Sequence, residues 1–194
     1  VHLVVPTRDE ELPIFANERS SFLKIGVTVM VPDLCVVQTC LDKRLFIDFC
    51  MSNEFLVPRT YSPDKLFSAL DLPLFIRDRF GKGSTTAFRV DTLKDLEYFL
   101  KKIDNPVIQE CIDADEYTID LFADFEGNIV SVVPRKRLFI FGGESFVGIT
   151  SKNWNLIDEA VRLAKALKLT GHNTIQCFLK GDKVLFIEVN PRYG

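Results

Sequence analysis

Two apolar runs flank Gly181-Asp182 near the end of the chain, in the stretch TIQCFLKGDKVLFIEVNPRYG at residues 174–194. Two such runs around a short polar turn predict a β-hairpin. Because side chains alternate along a strand, Glu188 and Asn190 are expected on one face of the second run. The apolar side chains expected on its other face are Leu185, Ile187 and Val189. A carboxylate and an amide would therefore stand together on an otherwise apolar strand.

These two polar side chains need a partner, because burying an unpaired amide costs about 2–7 kcal/mol. Mg²⁺ prefers carboxylate and amide oxygens and is the natural candidate. If residues 181–183 form a three-residue loop, Gln176 lies directly across from Glu188 and supplies a third oxygen, whereas a two-residue loop places Gln176 on the wrong face. We expect the three-residue loop, and with it a metal site made of Gln176, Glu188 and Asn190.

Arg192 follows where this strand ends, and a guanidinium at that point could bind a phosphate through two parallel hydrogen bonds. The alternative is a hairpin with one solvated polar face. The order Glu, Asn, Pro, Arg is an unusual way to build a solvated strand end, which favours a binding site.

Composition excludes several classes of protein. The chain has 194 residues, of which 47% are hydrophobic and 26% charged, which is ordinary for a globular protein with one core or two small ones. The net charge of −3 gives no electrostatic case for a nucleic-acid partner. No apolar run is long enough to span a membrane, and we find no signal peptide, so we expect neither a membrane partner nor secretion.

The cysteines favour a reducing compartment. There are five, an odd number, and none forms a CxxC pair. Packing cysteines in a cytoplasmic protein are expected, rather than disulfides or a zinc site.

A second informative stretch is PLFIRDRFGKGSTTAFRV at residues 73–90. It predicts a strand that carries Arg77, then the loop Gly81-Lys82-Gly83-Ser84, then a second strand from Thr86. Two glycines around a lysine make a flexible loop whose backbone N–H groups can hold phosphate oxygens. A plain glycine hairpin with solvated charges is the alternative, although Arg77 lies inside the strand rather than at its tip.

Acidic and basic residues face each other on the next predicted hairpin. Residues 116–124 alternate as a strand and place Glu116, Thr118, Asp120 and Asp124 on one face. The partner strand at 129–138 carries Arg135, Lys136 and Arg137. Cross-strand ion pairs on a solvated face are one explanation of this pattern.

Two helix boundaries are also predicted. Residues 155–169 show apolar spacing typical of a helix, with Asn153 or Asn155 as its cap and Gly171 as its stop. Near the start of the chain, residues 7–11 form a strand-to-helix connection, and a helix cap is favoured there over a ligand-binding loop.

These pieces together resemble the ATP-grasp superfamily, and among its members the ATP-binding domains of carbamoyl phosphate synthase large chains and similar ligases. The resemblance covers roughly residues 1–194. The motifs that carry it are FIEVNPRYG at 186–194, NTIQCF at 173–178, PLFIRDRFGKGS from 73, and VIQECIDADEYTID at 107–120.

The resemblance implies a role for each candidate residue. The residues implied in ATP binding are Lys43, Arg77, Gly81, Lys82, Gly83, Ser84, Gln109, Glu110, Cys111, Ile112 and Glu116. Lys43 and Arg77 would hold phosphates, residues 109–112 would form the adenine hinge, and Glu116 would bind ribose hydroxyls. The implied metal ligands are Gln176, Glu188 and Asn190, and the implied catalytic residues are Arg192 and Arg77.

The resemblance also implies an α+β fold in which two lobes with antiparallel sheets grip ATP. Residues 1–30 would be a remnant of a preceding α/β domain, and residues 31–194 the ATP-grasp domain. Its small lobe would span about 70–112 and its large lobe 113–194, and we expect the domain to continue beyond residue 194.

The implied reaction is ligation of a carboxylate to an amine, ammonia or a thiol through an acylphosphate. It would use ATP and one or two Mg²⁺ ions, with Mn²⁺ as a substitute. A non-catalytic or regulatory ATP-binding module is the alternative. The partners would be small-molecule substrates, and a homodimer or a larger synthase are both left open.

Overall fold

The computed structural model describes residues 1–62, 72–80 and 86–193, and its first unit is a small βαβ arrangement. Its elements are β1 (Leu3–Val4), α1 (Leu12–Lys24) and β2 (Thr28–Val29). β1 and β2 pair in parallel, which requires the crossover that α1 supplies. A separate apolar cluster holds this unit together: Leu12, Val29, Val31 and Val37.

Two consecutive helices follow, α2 (Leu34–Leu41) and α3 (Lys43–Ser52). Asp42 stands between them and caps α3, because its carboxylate accepts hydrogen bonds from the amides of Arg44 at 2.9 Å and Leu45 at 3.2 Å. The same carboxylate accepts two bonds from Arg79, at 2.7 and 2.6 Å. Although burial acts to raise it, these hydrogen bonds bring the pKa of Asp42 below its usual value. The start of α3 is therefore fixed beside the strand that carries Arg77.

Among the described residues, a four-stranded antiparallel sheet has the order β3-β6-β4-β5. Its elements are β3 (Thr60–Tyr61), β4 (Leu74–Asp78), β5 (Ala87–Val90), α4 (Leu93–Leu100) and β6 (Pro106–Glu110). α4 packs on this sheet through Leu96, beside a core that includes Ile76 and Ile108. The strand predicted around Arg77 is confirmed. The predicted loop of Gly81, Lys82, Gly83 and Ser84 lies outside the described residues.

The larger sheet has the order β11-β10-β7-β8-β9 and is antiparallel throughout its described pairs. Its elements are β7 (Asp115–Ala123), β8 (Ile129–Phe141), β9 (Glu144–Thr150), α5 (Trp154–Leu167), β10 (Gly171–Lys180) and β11 (Lys183–Asn190). One face of this sheet packs in the core with α5. The buried side chains of α5 are Leu156, Ala160, Leu163, Ala164 and Leu167. The other face is polar and opens towards the smaller sheet.

Helix α5 begins as predicted but ends earlier. Asn153 caps it by accepting a bond from the amide of Leu156 at 3.2 Å. The helix ends at Leu167 because Lys168 takes a left-handed conformation, with φ at 58°. Gly171 was expected to stop the helix, and instead it is the first residue of β10.

The hairpin of β10 and β11 pairs Gln176 with Glu188, as predicted, but for a different reason. The expected three-residue loop is wrong. Lys180 pairs with Lys183, so the loop contains only Gly181 and Asp182. Further along, Cys177 pairs with Phe186 while Gln176 pairs with Glu188, so Ile187 is an extra residue in a β-bulge. The bulge shifts the register by one and so restores the pairing that the short loop would otherwise have prevented.

The bulge also changes which side chains of β11 face the core. The core contacts come from Val184, Phe186 and Val189. Our expectation that Leu185 and Ile187 share the face of Val189 is therefore wrong. Ile187 and Glu188 are consecutive, yet both line the cavity described below, because the bulge interrupts the alternation.

No helix in the described ranges is long and apolar enough to cross a membrane. All five cysteines are free, and Cys40, Cys50 and Cys177 are buried as expected of packing residues, whereas Cys35 is exposed and Cys111 partly exposed. Cys50 and Cys177 are buried, and burial raises the pKa of each thiol to about 12, so both are protonated near neutral pH and act as packing residues.

We predict that Gly171→Ala destabilises the chain, because Gly171 has a φ of +72° and an added Cβ would lie 2.5 Å from Cγ of Met30. A left-handed residue with a Cβ costs about 1–2 kcal/mol, and overpacking adds about 1–3 kcal/mol. Gly127→Ala is the control, since its φ is +83° and nothing lies within 4 Å of the added atom. Urea denaturation should show the larger loss for Gly171→Ala. Equal losses would contradict the contact between β10 and the N-terminal unit.

Candidate functional site

A cavity of about 960 Å³ lies between the two sheets and extends to the N-terminal segment. It is lined by every predicted site residue that falls in the described part of the chain. These are Lys43, Arg77, Gln109, Glu110, Cys111, Ile112, Glu116, Gln176, Glu188, Asn190 and Arg192. Residues that are up to 149 positions apart in the sequence, counted from 43 to 192, therefore share one cavity.

The larger sheet presents its polar side chains to the cavity in rows set by the strand register. What we call the central row is Glu188, Gln176, Thr118 and Arg135. What we call the outer row, nearer the end of β11, is Asn190, Thr174 and Asp120. Two residues along a strand separate the rows, a distance of about 6.5–7 Å. The predicted metal ligands therefore occupy adjacent rows on two adjacent strands.

Arg77 connects the two sheets. It lies on β4 with 6% of its surface exposed, and its Nη2 donates to Oε1 of Gln109 at 3.0 Å and to the carbonyl of Ile187 at 3.2 Å. Its Nη1 lies 3.8 Å from Oε2 of Glu188. Burial lowers the pKa of Arg77, while Glu188 and Glu116 act in the opposite direction. A buried cation is therefore held in the wall of the cavity, between the two sheets.

Lys43 adds a second cation to the same region. It is 8% exposed, at the first position of α3. Burial lowers the pKa of Lys43, while Glu188 acts to raise it and Arg77 to lower it. A polyanion that entered the cavity would meet Lys43 and Arg77 together, and its charge would offset the cost of burying both cations.

The predicted adenine hinge, residues 109–112, lies at the end of β6 and beyond it. Gln109 is 3% exposed, and its Nε2 donates to the carbonyl of Pro58 at 3.3 Å and to Oγ1 of Thr60 at 3.1 Å. Its side chain therefore orients Arg77 instead of facing open space. Oε1 of Glu110 accepts a bond from the amide of Arg59 at 2.8 Å.

Sequence reasoning missed Arg137, which lies on β8 with a side chain only 4% exposed. It forms an ion pair with Glu116, donates to Oε1 of Gln176 at 3.1 Å, and donates to the carbonyl of Gly143 at 2.5 Å. Burial raises the pKa of Glu116, and Arg137 opposes that rise. Arg137 therefore joins the predicted ribose acid to a predicted metal ligand.

The signal for Arg137 was present in the sequence but was placed on the wrong surface. The expected cross-strand ion pairs do form, between Asp120 and Arg135 and between Glu116 and Arg137. The face that carries them lines the cavity and is not a freely solvated surface. Among the described residues, the smaller sheet and the N-terminal part of the chain enclose this face, and that arrangement depends on contacts between distant residues.

The three predicted metal ligands are bonded to the protein in this structure. Nδ2 of Asn190 donates to Oε1 of Glu188 at 3.3 Å, and Oε1 of Gln176 accepts from Arg137. Within the described residues there is no group of three or more His, Cys, Asp and Glu side chains that could hold a metal ion. With one carboxylate and two amides, these residues fit an oxygen-preferring ion whose remaining ligands are phosphates and water.

Arg192 lies just beyond β11 and forms an ion pair with Asp9. Its Nε donates to Oδ1 of Asp9 at 2.5 Å. The backbone of Arg192 is also held, since its amide donates to the carbonyl of Asn190 at 2.9 Å and its carbonyl lies 3.1 Å from Nδ1 of His172. The N-terminal segment therefore reaches the outer row.

Both the sequence and the fold are similar to those of known proteins. A family profile described as an ATP-grasp domain matches residues 40–194. A carbamoyl phosphate synthase large chain from Thermoanaerobacter sp. (strain X514) is 28% identical over 137 residues, which cover 63% of this chain and 13% of that protein. The chain thus spans only a small part of the length of this relative.

Two solved structures have the same fold. A biotin carboxylase from Campylobacter jejuni, in a β-γ-ATP complex, matches 100% of this chain and 49% of its own, at 16% identity and a TM-score of 0.81. The second structure is the biotin carboxylase domain of a 2-oxoglutarate carboxylase from Hydrogenobacter thermophilus, a dimer in complex with MgADP, ADP and bicarbonate. The match covers 100% of this chain and 49% of that one, at 13% identity and a TM-score of 0.76. The chain spans about half of each. The α+β fold predicted from the sequence is confirmed.

We predict that Arg77→Met destabilises the chain by about 3 kcal/mol, the typical cost of breaking a buried ion pair. The change leaves the carbonyl of Ile187 and Oε1 of Gln109 without the donor they now have. Urea denaturation measures the loss. Arg89→Met is the control, because Arg89 lies on the neighbouring strand β5 and forms an exposed pair with Asp91. Arg89→Met should leave the midpoint of urea denaturation unchanged. An equally small effect of Arg77→Met would argue against the proposed bridge between the two sheets.

Proposed function

The chain belongs to the ATP-grasp family, and on that basis we propose that it is the ATP-binding part of a Mg²⁺-dependent ligase. The reaction class that we propose is the joining of a carboxylate to an amine, ammonia or a thiol through an acylphosphate. The single observation that carries this proposal is the convergence of Lys43, Arg77 and Glu188 on one cavity between two sheets.

The lining of the cavity suits a nucleotide, because it combines charged and apolar side chains. Apolar side chains from the two sheets, Phe75 and Phe178, line it together with Ile187. We assign the adenine to the neighbourhood of residues 109–112, the ribose to Glu116, and the phosphates to Lys43 and Arg77. Gly81, Lys82, Gly83 and Ser84 are proposed to close over the phosphates.

The proposed metal site is the pair of rows on β10 and β11. Gln176, Glu188 and Asn190 would hold one or two Mg²⁺ ions, or Mn²⁺ in their place. When bound, the metal would neutralise charge on the phosphates. Asn190 would have to rotate its amide, because its nitrogen now faces Glu188. The residues then act by position and charge, since phosphoryl transfer depends mostly on both.

Arg192 and Arg77 are proposed to stabilise the transferring phosphoryl group. Both residues line the cavity, Arg77 where it joins the two sheets and Arg192 just beyond the end of β11. We therefore propose that the acceptor carboxylate binds next to the outer row. Excluding water from this space would protect the acylphosphate from hydrolysis.

For the domain organisation, we propose a remnant of an α/β domain at 1–30 and the ATP-grasp domain at 31–194, with a small lobe at about 70–112 and a large lobe at 113–194. We also propose a homodimer or a larger synthase as its setting. The free cysteines support a reducing compartment such as the cytoplasm.

The second candidate is a non-catalytic ATP-binding module of a larger synthase. It is favoured by the match to only 13% of the length of a carbamoyl phosphate synthase large chain, which is the share expected of one module in a larger protein. Release of ADP with a panel of carboxylates, including bicarbonate, and amines separates the two candidates. A module would bind MgATP but release no ADP with any pair.

We predict that Glu188→Gln weakens MgADP binding, measured by calorimetry, by about 10–100-fold or more. Loss of a residue that only supports a metal ligand already costs about 10–100-fold in metal affinity, and Glu188 is proposed to be a ligand itself. Without nucleotide, Mg²⁺ should show no saturable binding at micromolar concentrations, because only one of the three proposed ligands is a carboxylate and Arg77 lies 3.8 Å from it.

The control for this measurement is Glu97→Gln, which removes an exposed carboxylate on α4. It should bind MgADP like the wild type. Equal affinity of Glu188→Gln and the wild type would remove the metal site from the proposal.

A further inference from the structure

The connection between β1 and α1 reaches the cavity. Residues 7–11 follow β1, and Asp9 and Glu10 both line the cavity. The N-cap of α1 is Glu11, whose side chain makes no capping hydrogen bond. The expectation that this segment serves as a helix cap therefore does not account for its acidic residues.

Asp9 is buried against Arg192. Asp9 is 8% exposed, and the side chain of Arg192 is 25% exposed. The two residues are 183 positions apart, so the contact forms only in the folded chain. Removing a carboxylate and a guanidinium from water is costly, and such a pair is weak evidence of a contribution to stability. A structural role alone is therefore a poor explanation of why this pair lies in the wall of a cavity.

A second ion pair in the N-terminal unit provides a comparison. Arg19 and Asp33 also form an Arg–Asp pair, but their side chains are 45% and 60% exposed, and neither lines the cavity. This pair has the character of an ordinary surface ion pair, which contributes little to stability. The pair of Asp9 and Arg192 differs from it in burial and in location.

The geometry of Arg192 leaves part of its guanidinium available. Its Nε is bonded to Asp9, and within residues 1–62, 72–80 and 86–193 its two Nη groups have no hydrogen-bond partner. A bond at Nε fixes the plane of the guanidinium, because the group is rigid and planar. The Nη groups are then free to form paired hydrogen bonds with an anion beside the outer row.

We propose that Asp9 is a positioning residue that sets the orientation of Arg192 towards the transferring phosphoryl group. This inference rests on the function proposed above. It makes the N-terminal segment part of the site, although the family profile begins only at residue 40. Asp9 acts through Arg192, so its removal should affect the step that Arg192 serves and should leave ground-state nucleotide binding alone.

The test compares the binding of MgADP alone with the binding of MgADP plus fluoroaluminate, a mimic of the transferring phosphoryl group, by calorimetry. We expect Asp9→Asn, Asp9→Ala and Arg192→Ala to bind MgADP within about twofold of the wild type. Each should lose about tenfold or more of the extra affinity that fluoroaluminate provides, since small misplacements of a catalytic group cost up to about 100-fold.

The double variant Asp9→Ala/Arg192→Ala gives the sharpest readout. If Asp9 works only through Arg192, the double variant should lose no more than Arg192→Ala alone. Asp33→Asn, in the exposed pair, is the matched control and should behave like the wild type in both measurements.

Three results would overturn the inference. They are an unchanged fluoroaluminate effect in both Asp9 variants, losses in the double variant equal to the product of the single losses, and an equal loss in Asp33→Asn. Absence of MgADP binding by the wild type would instead overturn the proposed function, and this inference with it. Thermal denaturation of each variant identifies any that fails to fold, and Asp9→Asn, which keeps the size of the side chain, then decides the question.

Discussion

The guanidinium of Arg77 holds the two sheets together at the point where the cavity is formed. It is buried on the smaller sheet, and it donates to the carbonyl of Ile187 on the larger one at 3.2 Å. Ile187 is the extra residue of the β-bulge, and a bulged residue is left out of the ladder, so its carbonyl is available to accept this bond. The same bulge turns Glu188 towards Arg77. One irregularity of β11 therefore provides both the anchor for the cation and the carboxylate beside it.

Charge balance explains why so many ionisable groups coexist in this cavity. Within the described residues, seven acidic and five basic side chains line the cavity, and several of them form ion pairs, such as Glu116 with Arg137 and Asp120 with Arg135. Burial lowers the pKa of Arg77 and of Lys43, which shows that the carboxylates only partly offset the cost of burying these charges. The phosphates of the proposed nucleotide would offset the cost of burying Arg77 and Lys43.

Much of this arrangement can be read from local patterns. The hairpin at the end of the chain, the Asn153 cap and the core face of β7 follow from alternation, helical spacing and capping chemistry, and the structure has all three. The pairing of Gln176 with Glu188 was also predicted, yet through a loop length that proved wrong. Turn residues alone do not reveal a bulge six residues away. The place of Arg137 in the site was missed because its hairpin face lines a cavity only in the tertiary structure, and Asp9 was missed because Arg192 lies 183 positions away.

The central claim is that side chains from β10 and β11 converge on a cation that carries a nucleotide's phosphates. A crystal structure with MnADP tests it most directly, because anomalous scattering locates the manganese ion without assumption. The account predicts the ion between β10 and β11, about 2 Å from oxygen atoms of Glu188 and of at least one of Gln176 and Asn190. An ion bound elsewhere, or one that contacts only phosphates and water while all three side chains keep their present partners, would contradict it.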